Sequence, residues 1–170
     1  PGGAGNVAHN IQALGNVPIL MGVIGKDSSG DKLLSLFKKT GVDTHFLVQT
    51  EERPTILKSR IIAHHQHVVR VDREESSSLS LPLQEKLLKA AQQIIPDVDA
   101  ILLSDYLKGM LPPEFTQALI KIGRTAQKPI IVDPKGEDYE KYKGSSVLTP
   151  NFGEFKAAIG KTPKSESEIK

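Results

Sequence analysis

Asp133, Pro134 and Lys135 form a short segment whose residue types could handle a phosphate group. Proline fixes the backbone φ, so the carboxylate and the ammonium lie on a rigid turn. The carboxylate is suited to a metal-bound water, and the ammonium is suited to a phosphate oxygen. A surface ion pair is the alternative, and the residue types leave both interpretations open.

Asn151 and Glu154 are a second pair of candidate residues. They lie three residues apart at the start of a predicted helix, so both project from one turn toward the same point. The carboxylate could hold Mg²⁺ through water. The same pair is typical of a capping box, with Asn151 as the N-cap and Glu154 at N3. The two roles are compatible.

Three glycines at the beginning of the chain indicate a place where a ligand could approach the backbone. Gly2, Gly3 and Gly5 carry no Cβ and can take positive φ, and a predicted helix begins after them near Asn6. Free N–H groups of its first turn would face the ligand. Close packing or simple capping is the alternative. The spacing fits neither the G-x-G-x-x-G dinucleotide motif nor the P-loop.

Apolar runs bounded by turn residues predict strands that alternate with amphipathic helices. This alternation indicates right-handed βαβ crossovers and a parallel sheet with helices on both faces. Ligands bind beyond the carboxyl ends of such strands, which is where the candidate residues lie. The predicted strands span residues 17–25, 100–104, 129–134 and 146–150, and the predicted helices span residues 28–39, 83–95, 112–127 and 151–159.

The composition is that of one soluble globular domain. Its 22 basic and 20 acidic side chains are scattered, so there is no basic stripe for nucleic acid, and the absence of cysteine excludes disulfides and thiolate metal sites. No apolar run is long enough for a membrane span and no signal peptide is visible. We therefore expect a cytoplasmic protein without nucleic-acid or membrane partners.

Residues 76–82 are interpreted as a helix entry and not as a domain boundary.

The motifs at both ends of the chain resemble those of the ribokinase-like carbohydrate kinases. Residues 2–8, followed by Gly15 and Gly25, resemble the first signature of that family, and residues 151–154 resemble its Asn-x-x-Glu motif. The resemblance implies an α/β fold, namely a three-layer α/β/α sandwich with a mostly parallel sheet and a small β-lid at residues 45–72.

Within the family the chain is most similar to the heptose 7-phosphate kinase branch, through residues 1–8, 103–109 and 132–151. The resemblance implies ATP-dependent phosphorylation of C1 of D-glycero-β-D-manno-heptose 7-phosphate, on the route to ADP-heptose for lipopolysaccharide. Another sugar kinase of the family and a non-catalytic sugar-phosphate-binding module are alternatives. A Rossmann-type oxidoreductase would need a dinucleotide motif upstream.

The resemblance also implies where the ligands bind. ATP and Mg²⁺ are the implied cofactors, with Glu154 reaching the metal through water, and the β-lid implies a homodimer. The implied ATP-binding residues are Asp133, Lys135, Asn151 and Glu154. The implied sugar-phosphate residues are Gly2, Gly3, Asn6, Lys58, Arg60, Arg70, Asp105 and Lys108.

The cations in the second set are predicted to be uncommitted elsewhere, although solvated strand residues are the alternative. His64, His65 and His67 are interpreted as hairpin-turn residues, because no carboxylate stands at ligand spacing. The family's Gly-Ala-Gly-Asp segment, which carries the catalytic base, has no counterpart among the 170 residues. We therefore expect a fragment that lacks an N-terminal strand, with the base beyond Lys170.

Overall fold

The computed structural model describes residues 2–63 and 66–160, which form two compact units divided between Ser77 and Ser78. The division falls in residues 76–82, where the sequence analysis placed no boundary. The reason is visible in the strand pairing: the strands before Ser77 and those after Ser78 belong to separate sheets within the described residues. The predicted helix entry is confirmed, because a helix begins at Leu81 with Pro82 in its first turn.

The first unit combines a parallel strand pair, two helices and an antiparallel hairpin. Strands β1 and β2 pair in parallel, and strands β3 and β4 pair with each other. Ala8, Phe37 and Val42 form its buried core. In chain order the elements are α1 (Gly3–Ala13), β1 (Gly22–Gly25), α2 (Ser28–Thr40), β2 (Leu47–Thr50), β3 (Leu57–Ala63) and β4 (Gln66–Arg73).

The second unit has a three-stranded sheet in the order β5, β6, β7, with every pair parallel. Ser104 and Asp133 are register partners, so the loops after β5 and β6 leave the same edge of the sheet. Short 3₁₀ turns lie at Ile95–Asp97 and Glu140–Tyr142. The main elements are α3 (Leu81–Ile94), β5 (Ile101–Ser104), α4 (Pro113–Thr125), β6 (Ile130–Asp133), β7 (Val147–Leu148) and α5 (Phe152–Ile159).

Local signals set the ends of α2. The Asp27 side chain accepts a hydrogen bond from the Gly30 N–H at 2.9 Å and caps the first turn. Gly41 follows the last turn with φ +73°, a left-handed conformation that glycine adopts without steric cost. The prediction of a helix over residues 28–39 is confirmed to within one residue.

Two predictions for the N-terminal region are wrong. Gly3 and Gly5 lie inside α1 and Gly2 is its extended N-cap with φ −74°, so the cluster is a helix start and not a loop of positive φ. Only Gly22–Gly25 of residues 17–25 is a strand, and the Val17 side chain is 86% exposed. Pro18 has no N–H to offer a sheet, which explains why the strand starts later.

The antiparallel hairpin is shorter than the lid expected at residues 45–72. Strand β2 pairs with β1 in the parallel sheet, so the hairpin comprises only Leu57–Ala63 and Gln66–Arg73. Every residue of β3 is exposed. His64 and His65 lie outside the described residues, as do Pro1 and residues 161–170. None of the helices described here has the length and apolar character that crossing a membrane requires.

Candidate functional site

The start of α1 presents open backbone. A Cβ built on Gly2 would meet no atom within 4 Å, and Asn6 is exposed on the first turn. The Asn6 N–H donates to the Gly2 carbonyl at 2.8 Å, which leaves its side-chain amide as the group that a ligand would contact. No side chain among the described residues caps this helix. The geometry fits the predicted sugar-binding residues Gly2, Gly3 and Asn6, and their role stays a prediction.

Asp27 joins the base of the hairpin to the loop between β1 and α2. Its Oδ2 accepts from the Thr55 N–H at 3.0 Å, two residues before β3, and from Arg73 Nη2 at 2.7 Å, at the end of β4. Hydrogen bonds from the Gly30 and Thr55 N–H groups lower the pKa of Asp27 to about 2. The surroundings are tight, since a Cβ on Gly25 would lie 2.4 Å from the Thr55 nitrogen. Asp27 therefore has a structural role.

Because the folded pKa of Asp27 lies below its ordinary value of 3.8, the ionised carboxylate stabilises the fold above pH 4, and this contribution is lost as the pH falls toward 2. We expect Asp27→Asn to lower the unfolding midpoint at pH 7. The difference from the wild type should shrink between about pH 4 and pH 2. Urea unfolding across that range is the measurement, and a difference that is constant with pH would contradict the assignment.

Two of the predicted phosphate-binding cations in the hairpin, Lys58 and Arg70, form ion pairs within the hairpin. Lys58 Nζ lies 2.9 Å from Asp72 Oδ2 and 3.5 Å from Glu74 Oε2, and Arg70 Nε lies 3.0 Å from Asp72 Oδ1. The hydrogen bond from Lys58 lowers the pKa of Asp72 and raises that of Lys58. The prediction of uncommitted cations is wrong for Lys58 and Arg70, because the strand register places Asp72 beside both.

Arg60 and Lys108 are the other two predicted cations. Arg60 lies directly across from Arg70 in the strand register. The juxtaposition of two like charges on one face is unfavourable unless an anion or a neighbouring carboxylate compensates them. Lys108 lies half-buried in the loop after β5. A phosphate role for both stays a prediction.

Lys135, Asn151 and Glu154 come together at the carboxyl edge of the second sheet. Glu154 Oε2 accepts from the Asn151 N–H at 2.9 Å and Asn151 Oδ1 accepts from the Glu154 N–H at 3.0 Å, which confirms the capping box. Lys135 Nζ lies 2.6 Å from Glu154 Oε1, so the ion pair of Lys135 is with Glu154 and not with Asp133. This contact lowers the pKa of Glu154 and raises that of Lys135.

These contacts limit how Glu154 could serve a metal ion. Both carboxylate oxygens already accept a hydrogen bond, so direct ligation would displace Lys135 or open the cap. Mg²⁺ usually keeps several waters and binds proteins through few carboxylates, which fits a water-mediated contact. Across residues 2–63 and 66–160 no group of three metal-binding side chains is assembled.

Asp105 is buried and fully engaged by the protein. Its Oδ2 accepts from Lys141 Nζ at 2.6 Å and from the Tyr142 hydroxyl at 2.7 Å, and its Oδ1 accepts from the Leu107 N–H at 2.7 Å. Its side chain is only 3% exposed. Asp105 is predicted to bind the sugar phosphate; its carboxylate holds its own loop in the structure, and a substrate role for it stays a prediction.

Sequence reasoning missed four residues of these clusters. Lys141 and Tyr142 stand among charged residues, a pattern that indicates a solvated surface, yet Tyr142 is 1% exposed. Thr55 and Arg73 flank the hairpin, and nothing in their spacing points to Asp27. Only Tyr142 offered a signal in the sequence, since a tyrosine ring tends to be buried with its hydroxyl hydrogen-bonded, even within a polar segment.

Comparison with known proteins places the chain in a family. The sequence pattern of the pfkB family of carbohydrate kinases matches residues 1–170. Among curated proteins, the chain is 45% identical over 159 residues to the bifunctional protein HldE of Trichlorobacter lovleyi, covering 94% of this chain and 32% of that protein. It is 42% identical over 169 residues to the Wolinella succinogenes bifunctional protein HldE, covering 99% of this chain and 36% of that protein.

Solved structures show the fold. A 2-dehydro-3-deoxygluconokinase of Thermotoga maritima aligns with TM-score 0.77 and 17% identity, covering 96% of this chain and 54% of that one. Arabidopsis thaliana ribokinase, complexed with ribose and ATP, aligns with TM-score 0.69 and 20% identity, covering 99% and 54%. The α/β fold of ribokinase-like kinases is thereby confirmed.

The chain spans about a third of the length of these curated relatives and about half the length of the solved kinases. The family match itself runs along the whole chain. The chain belongs to the pfkB family of carbohydrate kinases.

Proposed function

We propose that this chain is part of an ATP-dependent sugar kinase. Its substrate is D-glycero-β-D-manno-heptose 7-phosphate, which it phosphorylates at C1 on the route to ADP-heptose for lipopolysaccharide in the cytoplasm. The family match along residues 1–170 carries the kinase assignment. The identity of 45% to a bifunctional protein HldE supports the heptose branch, which the motifs at residues 103–109 and 132–151 also favour.

The nucleotide side of the proposed site lies in the second unit. Mg·ATP supplies the phosphoryl group and the metal charge that balances it. Lys135 contacts a phosphate oxygen, and its ion pair with Glu154 at 2.6 Å holds the ammonium beside the first turn of α5. Asn151 and Glu154 fix that turn through the capping box. Glu154 would hold Mg²⁺ through a water molecule. Asp133 completes the set at the end of β6.

The sugar side of the proposal begins with the first unit. Gly2, Gly3 and Asn6 bind sugar hydroxyls at the open start of α1. In the hairpin we propose Lys58, Arg60 and Arg70 as ligands of the substrate phosphate, for which Lys58 and Arg70 would give up contacts with Asp72. Lys108 is the candidate cation of the second unit. We place the catalytic base outside residues 1–170, since the glycine-rich segment that carries it in this family has no counterpart here. Catalysis then rests on positioning and electrostatic stabilisation.

We further propose a homodimer through the hairpin. The strand register gathers Leu57, Ile61, Val69 and Val71 on one face, with exposures of 42%, 51%, 46% and 54%. Lys58, Arg60 and Arg70 lie on the other face. Exposed apolar faces of this kind mark interaction sites. One structural neighbour, phosphofructokinase-2 of Escherichia coli, was solved as a tetramer (TM-score 0.73, 22% identity).

Dimer formation gives a direct prediction. The double variant Val69→Lys, Val71→Lys should shift the full-length protein from dimer to monomer in sedimentation velocity. In the proposed dimer the apolar faces of two hairpins pack together, and two lysines on each face would bury unpaired charges there. Val17→Lys is the matched control, since Val17 is 86% exposed and lies outside the hairpin. A dimer that survives the double substitution would place the interface elsewhere.

The experiment that tests the function is a steady-state assay of the full-length protein with Mg·ATP. Heptose 7-phosphate is compared with fructose 6-phosphate, ribose and 2-dehydro-3-deoxygluconate. We expect the highest kcat/KM for heptose 7-phosphate, and we expect Asn6→Ala to raise the KM for the sugar phosphate more than that for ATP. Preference for another sugar would overturn the heptose assignment. Sugar-phosphate binding without transfer to any acceptor would indicate a non-catalytic module.

A further inference from the structure

Tyr142 connects the loops that follow two neighbouring strands. Its ring is 1% exposed, and its hydroxyl donates to Asp105 Oδ2 at 2.7 Å in the loop after β5. The Tyr142 hydroxyl oxygen also accepts a hydrogen bond from the backbone N–H of Lys135, in the loop after β6, at 3.4 Å. One buried hydroxyl therefore bridges a carboxylate and the backbone of a residue assigned to the nucleotide phosphates.

The Tyr142 hydroxyl is fixed as a donor toward Asp105. Burial raises the pKa of Tyr142 well above its usual range, and the hydrogen bond to Asp105 raises it further. Lys141 Nζ balances the carboxylate at 2.6 Å and lies 5.0 Å from the centre of the Tyr142 ring. The hydroxyl accordingly keeps its proton across the physiological range, and its oxygen accepts the Lys135 N–H.

The loop after β5 is held in an unusual conformation by the same carboxylate. Leu107 has φ +52°, which L-residues rarely adopt, and its N–H donates to Asp105 Oδ1 at 2.7 Å. Gly136 in the neighbouring loop has φ +89°, and a Cβ built there would lie 3.4 Å from Leu107 Cδ1. The two loops thus pack on each other, with Asp105 setting the shape of one of them.

The chain of contacts continues to the nucleotide residues. Tyr142 holds the Lys135 backbone, the Lys135 ammonium holds Glu154 Oε1 at 2.6 Å, and Glu154 Oε2 accepts from the Asn151 N–H. The buried Tyr142 hydroxyl therefore restricts the position of the Lys135 backbone, and through it the contacts that follow. An exposed lysine on a free loop would instead sample several positions.

We propose that Tyr142 is a positioning residue, which works with Asp105 to fix the Lys135 loop for the nucleotide phosphates. The proposal rests on the proposed kinase function. Tyr142 touches neither substrate in this assignment and acts through Lys135. Its loss should therefore appear on the ATP side of the kinetics and leave the sugar side unchanged.

The test compares Tyr142→Phe with Tyr139→Phe in the full-length protein. Both changes remove one buried tyrosine hydroxyl, but the Tyr139 hydroxyl has no hydrogen-bond partner in the described part of the chain. The two rings are in edge contact at 5.9 Å, so the variants are matched in place and chemistry. For Tyr142→Phe we expect kcat/KM for ATP to fall about tenfold, since a hydrogen bond to a buried charged group is lost.

A second readout does not depend on activity. Amide hydrogen exchange at Lys135 should be faster by about tenfold in Tyr142→Phe, because its N–H loses the acceptor, and unchanged in Tyr139→Phe. Equal effects of the two variants on ATP kinetics and exchange would overturn the proposal, as would a rise in the KM for the sugar phosphate alone. A wild-type protein without phosphoryl transfer would refute the proposed function, and the exchange comparison would then decide only whether Tyr142 holds the loop.

Discussion

Replacing Asp105 with asparagine is expected to lower the free energy of unfolding by about 3–5 kcal/mol. The side chains of Asp105 and Lys141 are 3% and 12% exposed, so the ammonium would stay buried without its counter-charge. The asparagine amide would also present its donor to Lys141 Nζ and to the Tyr142 hydroxyl. Urea unfolding at pH 7 measures the loss, and hydrogen exchange assigns it to the second unit.

A double-mutant cycle separates the ion pair from general damage. Lys141→Met removes the buried ammonium and keeps much of the side-chain volume, so the double variant should be more stable than Asp105→Asn alone. Asp99→Asn, an exposed aspartate ahead of β5, is the matched control and should change stability little. A loss below about 1 kcal/mol for Asp105→Asn would mean that Lys141 finds water instead, which contradicts the buried pair.

The second large effect is expected for Glu154→Ala in the full-length protein. We expect kcat/KM for ATP to fall by about 10–100-fold, because the variant removes the Lys135 partner and the proposed metal-bound water contact together. The affinity for the sugar phosphate should change little, since Glu154 is assigned to the nucleotide side. Steady-state kinetics with varied Mg²⁺ measures the effect, and higher Mg²⁺ should recover part of the loss.

Two variants locate the origin of that effect. Glu154→Gln can still accept from the Asn151 N–H but loses the charge, so it separates capping from metal and lysine contacts. Glu85→Ala changes an exposed glutamate on α3 and should leave the kinetics unchanged. If sugar-phosphate binding collapsed while nucleotide binding stayed normal, the assignment of Glu154 would be wrong.

Elements defined by local signals were predictable from the sequence. Helix α2 has an aspartate N-cap and a glycine after its last turn, and α5 has its capping box and Gly160 at φ +67°. These signals act within four residues, so no knowledge of the fold is needed. The strands before the candidate loops were found for the same reason, as apolar runs ended by polar residues.

Features that depend on register or on distant partners were not predictable. Lys58 and Arg70 looked uncommitted until the pairing of β3 with β4 placed Asp72 beside them. Asp105 follows a strand like a ligand-binding carboxylate, yet Lys141 and Tyr142, 36 and 37 residues later, enclose it. The apolar face of the hairpin was also not predictable from one strand alone. Leu57 and Ile61 come from β3, and only the register places Val69 and Val71 of β4 on the same face.

The most direct test of the central claim is ³¹P NMR of the full-length protein with Mg·ATP and heptose 7-phosphate. We expect the ATP γ-phosphate signal to be lost while a second sugar phosphate ester appears, coupled to the anomeric proton at C1, with ADP in equal amount. Hydrolysis of ATP to inorganic phosphate without a new ester, or an ester at a carbon other than C1, would contradict it.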